Sequence, residues 1–203
     1  MKIYSLGFLL ILLITTFSCA SESPTVIENS QNNQQLQVSS SDALPTGGVF
    51  NRLWSDPPTL DPHLAGDTTS SGIIVEIFSG LVAFDPDLNL IPDLAESWEI
   101  SNDGTVYTFK IRDNAVFHDG KKVTAQDFKW SFQRAANPAT ASAVADTYLG
   151  DIIGVNEVIN GEVNDITGIK VIDDLTLQIS IDSPKAYFLA KLTYPTAYVL
   201  DKF

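Results

Sequence analysis

Hydrophobic and polar residues alternate at every second position in the middle of the chain, which is the period of a strand with one buried face. The alternation is clearest from Val106 to Ile111, and Ala95 to Ile100 has the composition of a preceding strand. Between these two stretches, Asn102-Asp103-Gly104 is a turn sequence whose glycine tolerates a positive φ. The pattern therefore predicts a β-hairpin whose second strand has its even-numbered residues on one face and its odd-numbered residues on the other.

A helical period follows the next turn sequence, His118-Asp119-Gly120. Thr124 can accept a hydrogen bond from the first helical turn, and Asp127 can return one, which makes a short-armed capping box. Apolar residues then recur at helical spacing and predict an amphipathic helix that ends near Ala136-Asn137-Pro138. We expect this hairpin and helix to be structural and to make no ligand contact. The residues expected on the buried helix face are Phe128, Phe132 and Ala135.

Shorter patterns predict the remaining elements. His63 follows a proline-rich turn sequence, and we expect it to be a turn or surface residue. The other predicted strands are Val49 to Trp54, Leu81 to Phe84, Leu88 to Ile91, Ile169 to Ile172 and Leu175 to Ile181. The other predicted helices are Gly72 to Leu81, Leu149 to Ile159 and Ala186 to Leu192, with a loop from Ala139 to Asp146 and an extended segment from Tyr194.

The first residues of the chain are typical of an export signal. Lys2 precedes an uncharged apolar run from Leu6 to Ile14, and a small residue then stands directly before Cys19. This arrangement resembles a bacterial lipobox, although Thr16 stands where that motif usually has an aliphatic residue. We predict a signal peptide over residues 1–18 and a lipid on Cys19. Simple secretion and an uncleaved anchor are the alternatives, because Ile3 to Ser21 contains no charge.

A tether is predicted after the signal. Residues 19–48 are rich in Ser, Asn and Gln and lack aromatic residues, so they cannot bury enough apolar surface to form a core. A flexible spacer would hold a folded domain away from a membrane, whereas an extension without a role would have the same composition. The globular part is therefore predicted over residues 49–203.

Composition narrows the classes of function. The chain has 203 residues, enough for one or two domains, and its 44% hydrophobic content can build a core. A net charge of −13 excludes an attraction to nucleic acid that relies on basic charge. Two His and one Cys exclude a Cys/His metal cluster and an intrachain disulfide. No nucleophile elbow, zinc-protease or phosphate-loop motif is present, so we expect no enzyme activity, metal or cofactor.

Three consecutive motifs indicate a family. The motifs are Ala-Glu-Ser-Trp, Asp-Gly-x-x-Tyr-Thr-Phe-x-x-Arg and Phe-His-Asp-Gly-x-x-Val-Thr-Ala-x-Asp-Phe. Together they resemble the signature of the family 5 extracellular solute-binding proteins, the oligopeptide-, dipeptide- and nickel-binding receptors of bacterial ABC importers. The resemblance covers Val49 to the end of the chain. It implies an α/β fold that is part of the first lobe of a two-lobed clamshell, with the second lobe absent from this chain.

The resemblance also implies where a ligand binds. Gly66, Asp67 and Thr68 precede a predicted helix, and their backbone N–H groups could receive an anion or carboxylate or could simply cap that helix. Ser142 and Val144 lie in the predicted loop before Asp146. Both segments fall where members of the family meet the backbone of a peptide. The sequence is most similar to the oligopeptide-binding branch, although the second loop lacks the aromatic residue that these receptors often carry.

The implied function is the capture of peptides by an exported, lipid-anchored monomer at the cell envelope, which delivers them to membrane permease subunits. The missing aromatic residue leaves the ligand open, with nickel chelates, haem and oligosaccharides as alternatives. A different class, a secreted hydrolase whose catalytic residues lie outside this chain, also remains open. A downstream second lobe and a neighbouring permease gene would favour the receptor.

Overall fold

Six β-strands form two antiparallel sheets in the computed structural model, which describes residues 48–49 and 51–202. Strands β1 (Val82–Phe84) and β2 (Leu90–Pro92) form a two-stranded sheet. The main sheet contains β3 (Ala95–Ile100), β4 (Val106–Ile111), β5 (Ile169–Asp173) and β6 (Thr176–Ser180) in the order β3-β4-β6-β5. The three predicted hairpins are confirmed, with small shifts at their ends.

Within the described residues, five α-helices and two short 3-10 helices connect and cover the strands. The α-helices are α1 (Thr68–Ile74), α2 (Ala125–Ala136), α3 (Ala145–Leu149), α4 (Val155–Ile159) and α5 (Phe188–Lys191). The 3-10 helices are Pro138–Thr140 and Pro195–Ala197. Among the described residues, no helix is long and apolar enough to cross a lipid bilayer. The predicted signal peptide, Cys19 and the tether lie outside the described residues.

Helix α2 begins at the predicted capping box. The Asp127 amide donates to Thr124 Oγ1 over 3.4 Å, and the Thr124 amide donates to Asp127 Oδ2 over 2.9 Å. These two bonds satisfy amide groups that the helix itself leaves unpaired, so the helix starts at a defined residue. The capping box therefore fixes the position of the whole helix along the chain.

One face of α2 packs on the main sheet and forms the principal core. Phe128 and Phe132 from the helix and Phe109 from β4 are fully buried, as the two periodicities predict. Burying a side chain of this size contributes about 1.5–3 kcal/mol relative to leaving it exposed. The lobe is therefore built around a sheet and a helix, and its mixed α/β class is confirmed.

The first predicted strand is wrong. Residues 51–54 of the predicted range Val49 to Trp54 have no strand structure, and Leu53 is 98% exposed. A strand needs a neighbour for its backbone hydrogen bonds, and no described residue pairs with this segment. Instead, Trp54 lies against α1, where its indole Nε1 donates to the Thr69 carbonyl over 2.9 Å.

Two predicted helices are displaced or broken. The helix expected over Gly72 to Leu81 begins four residues earlier, because Asp67 caps it, and ends at Ile74. The helix expected over Leu149 to Ile159 is interrupted between α3 and α4. Gly154 there has a φ of +91°, a conformation that ends regular helical geometry. Of the apolar positions behind the prediction, Leu149 ends α3 and Val155, Val158 and Ile159 lie in α4, whereas Ile152 and Ile153 lie between the two helices.

Smaller corrections concern the boundaries of one helix, one loop and the last extended segment. The helix expected over Ala186 to Leu192 is shortened to α5, and the segment after Tyr194 starts with a 3-10 helix before it becomes extended. The loop from Ala139 to Asp146 includes the end of the first 3-10 helix and the start of α3. Proline at the first position of each 3-10 helix has the backbone angle that a helical turn requires.

Candidate ligand-binding site

The two loops that the sequence singles out meet in the structure. Gly66 is exposed and lies beside the half-buried Val144, so that a β-carbon built on Gly66 would be 3.5 Å from Val144 Cγ1. That distance is an ordinary van der Waals contact. The fold therefore brings the segment before α1 and the segment before α3 to one place, which local sequence patterns do not show.

Asp67 caps α1 with its own side chain. Its Oδ1 accepts a hydrogen bond from the Ser70 amide over 2.8 Å, and this bond is the main reason that the pKa of Asp67 lies below its usual value. The ionised carboxylate therefore occupies the helix start and opposes a second negative group there. Of the two roles considered for this segment, capping is the one that the structure shows for Asp67. Thr68 follows as the exposed first residue of the helix.

Ser142 lies in a constrained part of the second loop. Its hydroxyl oxygen is enclosed and has no hydrogen-bond partner among the described residues. The preceding residue, Ala141, has a φ of +54°, a left-handed conformation that costs a residue with a side chain roughly 1–2 kcal/mol. Val144 then takes the N-cap position of α3 without a side-chain cap.

Two tyrosines that the sequence analysis did not single out connect these loops. The ring of Tyr148 on α3 stacks on the ring of Tyr194, with the centroids 3.7 Å apart and the planes 4° from parallel. The Tyr194 hydroxyl makes long contacts, 3.4 Å to the Ala65 carbonyl and 3.5 Å to the Ser71 hydroxyl. No periodic signal marks either residue, because Tyr148 sits in a five-residue helix and Tyr194 in a turn.

His63 is buried, which corrects its expected place at the surface. It lies in a turn and has no exposed surface. Arg134 from the end of α2 makes two bonds to the Asp61 carboxylate, of 3.0 Å and 2.6 Å, and a third of 2.9 Å to His63 Nδ1. His63 Nε2 lies 3.2 Å from the Tyr198 carbonyl. The cluster ties the turn before α1 to α2 and to the extended segment after Pro195–Ala197.

The partners of His63 determine its tautomer. Arg134 can only donate and the Tyr198 carbonyl can only accept, so the imidazole accepts at Nδ1 and donates at Nε2, which is a neutral form. Burial lowers the pKa of His63 to about 4, the Tyr198 carbonyl opposes this shift, and the Arg134 charge adds to it. Burial also raises the pKa of Asp61, but the bonds from Arg134 and His63 outweigh it and leave the pKa below its usual value.

A cavity of about 710 Å³ lies beside this cluster, with Asp61 and Arg134 in its wall. Most of its lining is apolar, and none of the five candidate residues contributes to it. It is therefore distinct from the place where Gly66 meets Val144. The part of the chain that the structure describes contains no group of three or more His, Cys, Asp or Glu side chains suited to a metal. The apolar residues of the lining are Leu60, Pro62, Ile77, Phe78, Leu94, Val116, Phe117, Val123, Trp130, Val199 and Leu200.

The mixed α/β fold agrees with the family that the three motifs indicate. Residues 89–203 match the bacterial extracellular solute-binding proteins, family 5. This match covers more than half of the chain, which therefore belongs to that family, as its three motifs indicate.

Comparison with individual proteins gives the same assignment to the family. The chain is 40% identical over 152 residues to the periplasmic oligopeptide-binding protein OppA of Escherichia coli, covering 73% of this chain and 27% of that protein. It is 37% identical over 148 residues to the "Probable deoxycholate-binding periplasmic protein YgiS" of the same organism, covering 71% and 27%. The substrate-binding domain of an oligopeptide ABC transporter from Bacillus anthracis matches in structure with a TM-score of 0.68 and 36% identity, covering 71% and 28%. The chain thus spans less than a third of the length of these relatives.

Proposed function

We propose that this chain is part of the first lobe of a receptor that captures peptides and delivers them to an ABC permease. The observation that carries the proposal is the close approach of Gly66 to Val144, which brings together two loops far apart in sequence at an accessible place on the lobe. Relatives named for oligopeptide binding support a peptide as the ligand. The receptor holds its ligand without transforming it, so the proposed function is not enzymatic.

The chemistry of the loops suits a peptide backbone. Gly66 has no side chain to keep a ligand away, and Thr68 is exposed beside it. The ionised carboxylate of Asp67 favours a ligand that presents N–H donors or positive charge over one that presents a carboxylate. Ser142 and Val144 complete the candidate set on the facing loop. Because these groups lie on one lobe only, we propose that a second lobe closes on the ligand from the other side.

Calorimetry with a mixed peptide pool tests the function. We expect the two-lobed receptor to bind with a dissociation constant in the micromolar range or below, and the 203-residue chain alone to bind negligibly. Half a site leaves the ligand solvated on one face, and each missing hydrogen bond removes about 1 kcal/mol. Tight binding by the 203-residue chain would contradict the two-lobed site, and no binding by either protein would contradict a peptide ligand.

A pair of glycine variants tests the site itself. In Gly66→Ala the new methyl group meets only Val144 at an ordinary distance, so we expect the fold to be kept. The methyl group would stand where the peptide backbone approaches, and we expect about tenfold weaker binding. Gly120→Ala is the control, because Gly120 has a φ of +89° in open surroundings. It should lower stability by about 1–2 kcal/mol and leave affinity unchanged.

A second candidate ligand comes from the relatives. The relative named for deoxycholate is 37% identical, close to the 40% of the oligopeptide-binding relative, so overall identity does not separate a peptide from a steroid acid. The negative charge of Asp67 favours the peptide. A deoxycholate titration beside the peptide pool decides between them, because only one ligand class should show saturable heat.

The export signal and its lipid are also part of the proposal. We propose that residues 1–18 are removed, that Cys19 carries the lipid, and that residues 20–48 tether a monomeric receptor outside the inner membrane. Metabolic labelling with a fatty-acid probe should mark the wild-type protein and spare Cys19→Ser. Equal labelling of both proteins would contradict a lipid on this cysteine.

A further inference from the structure

Tyr194 connects the two candidate ligand loops through contacts that are separate from the close approach of Gly66 to Val144. On one side, its hydroxyl lies 3.4 Å from the carbonyl of Ala65, the residue that precedes Gly66. On the other side, its ring stacks on Tyr148. The Tyr148 amide donates to the Val144 carbonyl over 3.2 Å, so the stacked ring belongs to the same helical turn as Val144. Each loop is therefore linked to the other both by its own approach and through the two stacked rings.

The stack has the geometry of a spacer. Its rings are nearly parallel at 3.7 Å, whereas free aromatic pairs prefer offset or edge-on arrangements with centroids about 4.5–7 Å apart. The rings are held by different elements, Tyr148 by α3 and Tyr194 by the turn that starts Pro195–Ala197. The Tyr194 amide itself donates to the Lys191 carbonyl over 3.2 Å. A change in the thickness of this pair would therefore move α3 relative to the segment before α1.

Each loop also has local contacts that do not depend on the stack. The Asp67 carboxylate holds the Ser70 amide, and the turn at Asp61 is fixed by its bonds to Arg134. The main core is formed by the sheet and α2. Loss of the Tyr194 ring should consequently change the spacing between the loops more than it changes the fold of the lobe.

We propose that Tyr194 is a positioning residue of the ligand site, which acts through Tyr148 to set the distance between the loop at Gly66 and the loop at Val144. The proposal rests on the proposed function of these loops in peptide binding. A ligand that contacts both loops needs them at one spacing, and a site that is already arranged loses less free energy on binding. Tyr194 itself does not need to touch the ligand.

Calorimetry on the two-lobed receptor with trialanine and the mixed peptide pool tests the proposal. We expect Tyr194→Leu, which removes the stack, to weaken binding about tenfold. Tyr194→Phe keeps the stacked ring and loses only the long contacts of the hydroxyl with the Ala65 carbonyl and the Ser71 hydroxyl, so it should bind about threefold more weakly than the wild-type protein. Tyr187→Leu is the matched control, since Tyr187 is 52% exposed and lies outside the stack. It should bind as the wild-type protein does.

A double-mutant cycle separates positioning from simple loss of stability. If the pair acts as one spacer, Tyr148→Leu should weaken binding as much as Tyr194→Leu, and the double variant should be no weaker than either single variant. Additive losses, or full affinity in Tyr194→Leu, would overturn the proposal. Rescue by Phe but not by Leu would not be expected from a general effect on folding.

Amide exchange in the absence of ligand supplies the second readout. In Tyr194→Leu the Tyr148 amide, which is bonded to Val144, should exchange about tenfold faster, while Tyr194→Phe should match the wild-type protein. Unchanged exchange in Tyr194→Leu would overturn the positioning role. If the wild-type receptor binds no peptide at all, the proposed function fails, and the exchange rates still show whether the stack couples the two loops.

Discussion

The lobe contains two hydrophobic clusters that are built in different ways. The large cluster joins the main sheet to α2 and includes Phe109, Phe128 and Phe132. The small cluster contains three buried residues, Ala65, Ile74 and Tyr198, with Phe78 partly buried against them. The large cluster comes from regular strands and a capped twelve-residue helix. The small cluster comes from a turn, a seven-residue helix and an extended segment, so regular hydrogen bonding contributes far less to it.

The segments around the small cluster contain little helix or strand, and polar side-chain contacts hold them in place instead. Arg134 and Asp61 form a two-bond ion pair, and His63 links Arg134 to the Tyr198 carbonyl. The candidate ligand loop at Gly66 follows directly from this region. The framework of the lobe therefore depends on apolar burial, whereas the part that carries the candidate ligand loop depends on a few charged and aromatic contacts.

The largest expected effect concerns the framework. Phe132→Ala should lower the free energy of unfolding by about 3–5 kcal/mol, because the ring is fully buried and its removal leaves a cavity. Urea unfolding of the chain measures this change. Phe84→Ala is the control, since Phe84 is 44% exposed and should cost about 1 kcal/mol or less. Equal losses in both variants, or a loss of ligand affinity by the two-lobed receptor carrying Phe132→Ala without a loss of stability, would contradict a purely structural role.

The next effect concerns pH and the small cluster. The pKa of His63 is about 4 in the folded protein and 6.5 as its ordinary value, so between these values the unfolded chain binds more protons. Stability is therefore fully present above pH 6.5 and decreases as the pH falls towards 4, by about 3 kcal/mol in total. His63→Gln, whose amide can donate and accept as the neutral imidazole does, should remove this part of the pH dependence.

Unfolding measured at several pH values for both proteins tests this prediction, with His118→Gln as the control. His118 is exposed and forms no hydrogen bond with Asp61, His63 or Arg134 in the described part of the chain, so its replacement should leave the effect of His63 in place. A wild-type curve that is flat between pH 6.5 and 4 relative to His63→Gln would show that His63 is not buried in its neutral form.

A smaller effect is expected from the ion pair. Arg134→Lys keeps the positive charge but cannot make the two parallel bonds to Asp61 or the bond to His63 Nδ1 at the same time. We expect a loss of about 1–2 kcal/mol in the free energy of unfolding, discounted because both side chains are partly exposed. Lys129→Arg serves as the matched exchange on the same helix, where the partner Asp165 is 58% exposed. A loss of the same size in both variants would show that the bonds of Arg134 have no special role.

The difference between the clusters also explains what could be predicted from sequence. The β3-β4 hairpin and the capping box of α2 are encoded within a few residues, so alternation and the Thr124-Asp127 pair predict them. The bonds of Arg134 to Asp61 join positions 73 residues apart and leave no local pattern. The resemblance to a family identified the loops at Gly66 and Val144. Their close approach and the stack of Tyr148 on Tyr194 depend on tertiary packing, which no short motif encodes.

The smallest expected change in stability concerns two enclosed hydroxyl groups. Ser142 Oγ and Thr196 Oγ1 both lack a hydrogen-bond partner within the described residues, and Thr196 is fully buried. Ser142→Ala and Thr196→Val each remove an unpaired polar atom and should raise the free energy of unfolding by about 1 kcal/mol. Thermal unfolding of the two variants measures this common effect. A loss of stability in either variant would mean that its hydroxyl has a partner in solution.

Ligand binding then separates the two hydroxyls. If the Ser142 loop rearranges so that its hydroxyl bonds to the peptide, Ser142→Ala should weaken binding to the two-lobed receptor about fivefold, equal to one hydrogen bond of about 1 kcal/mol. Thr196→Val should bind as the wild-type protein does, because Thr196 belongs to the packed 3-10 helix Pro195–Ala197. Equal affinity in both variants would show that Ser142 does not contact the ligand. The candidate site would then be centred on the place where Gly66 lies beside Val144. A polar atom left unpaired in a ligand loop is thus distinguished by calorimetry from one left unpaired in a core.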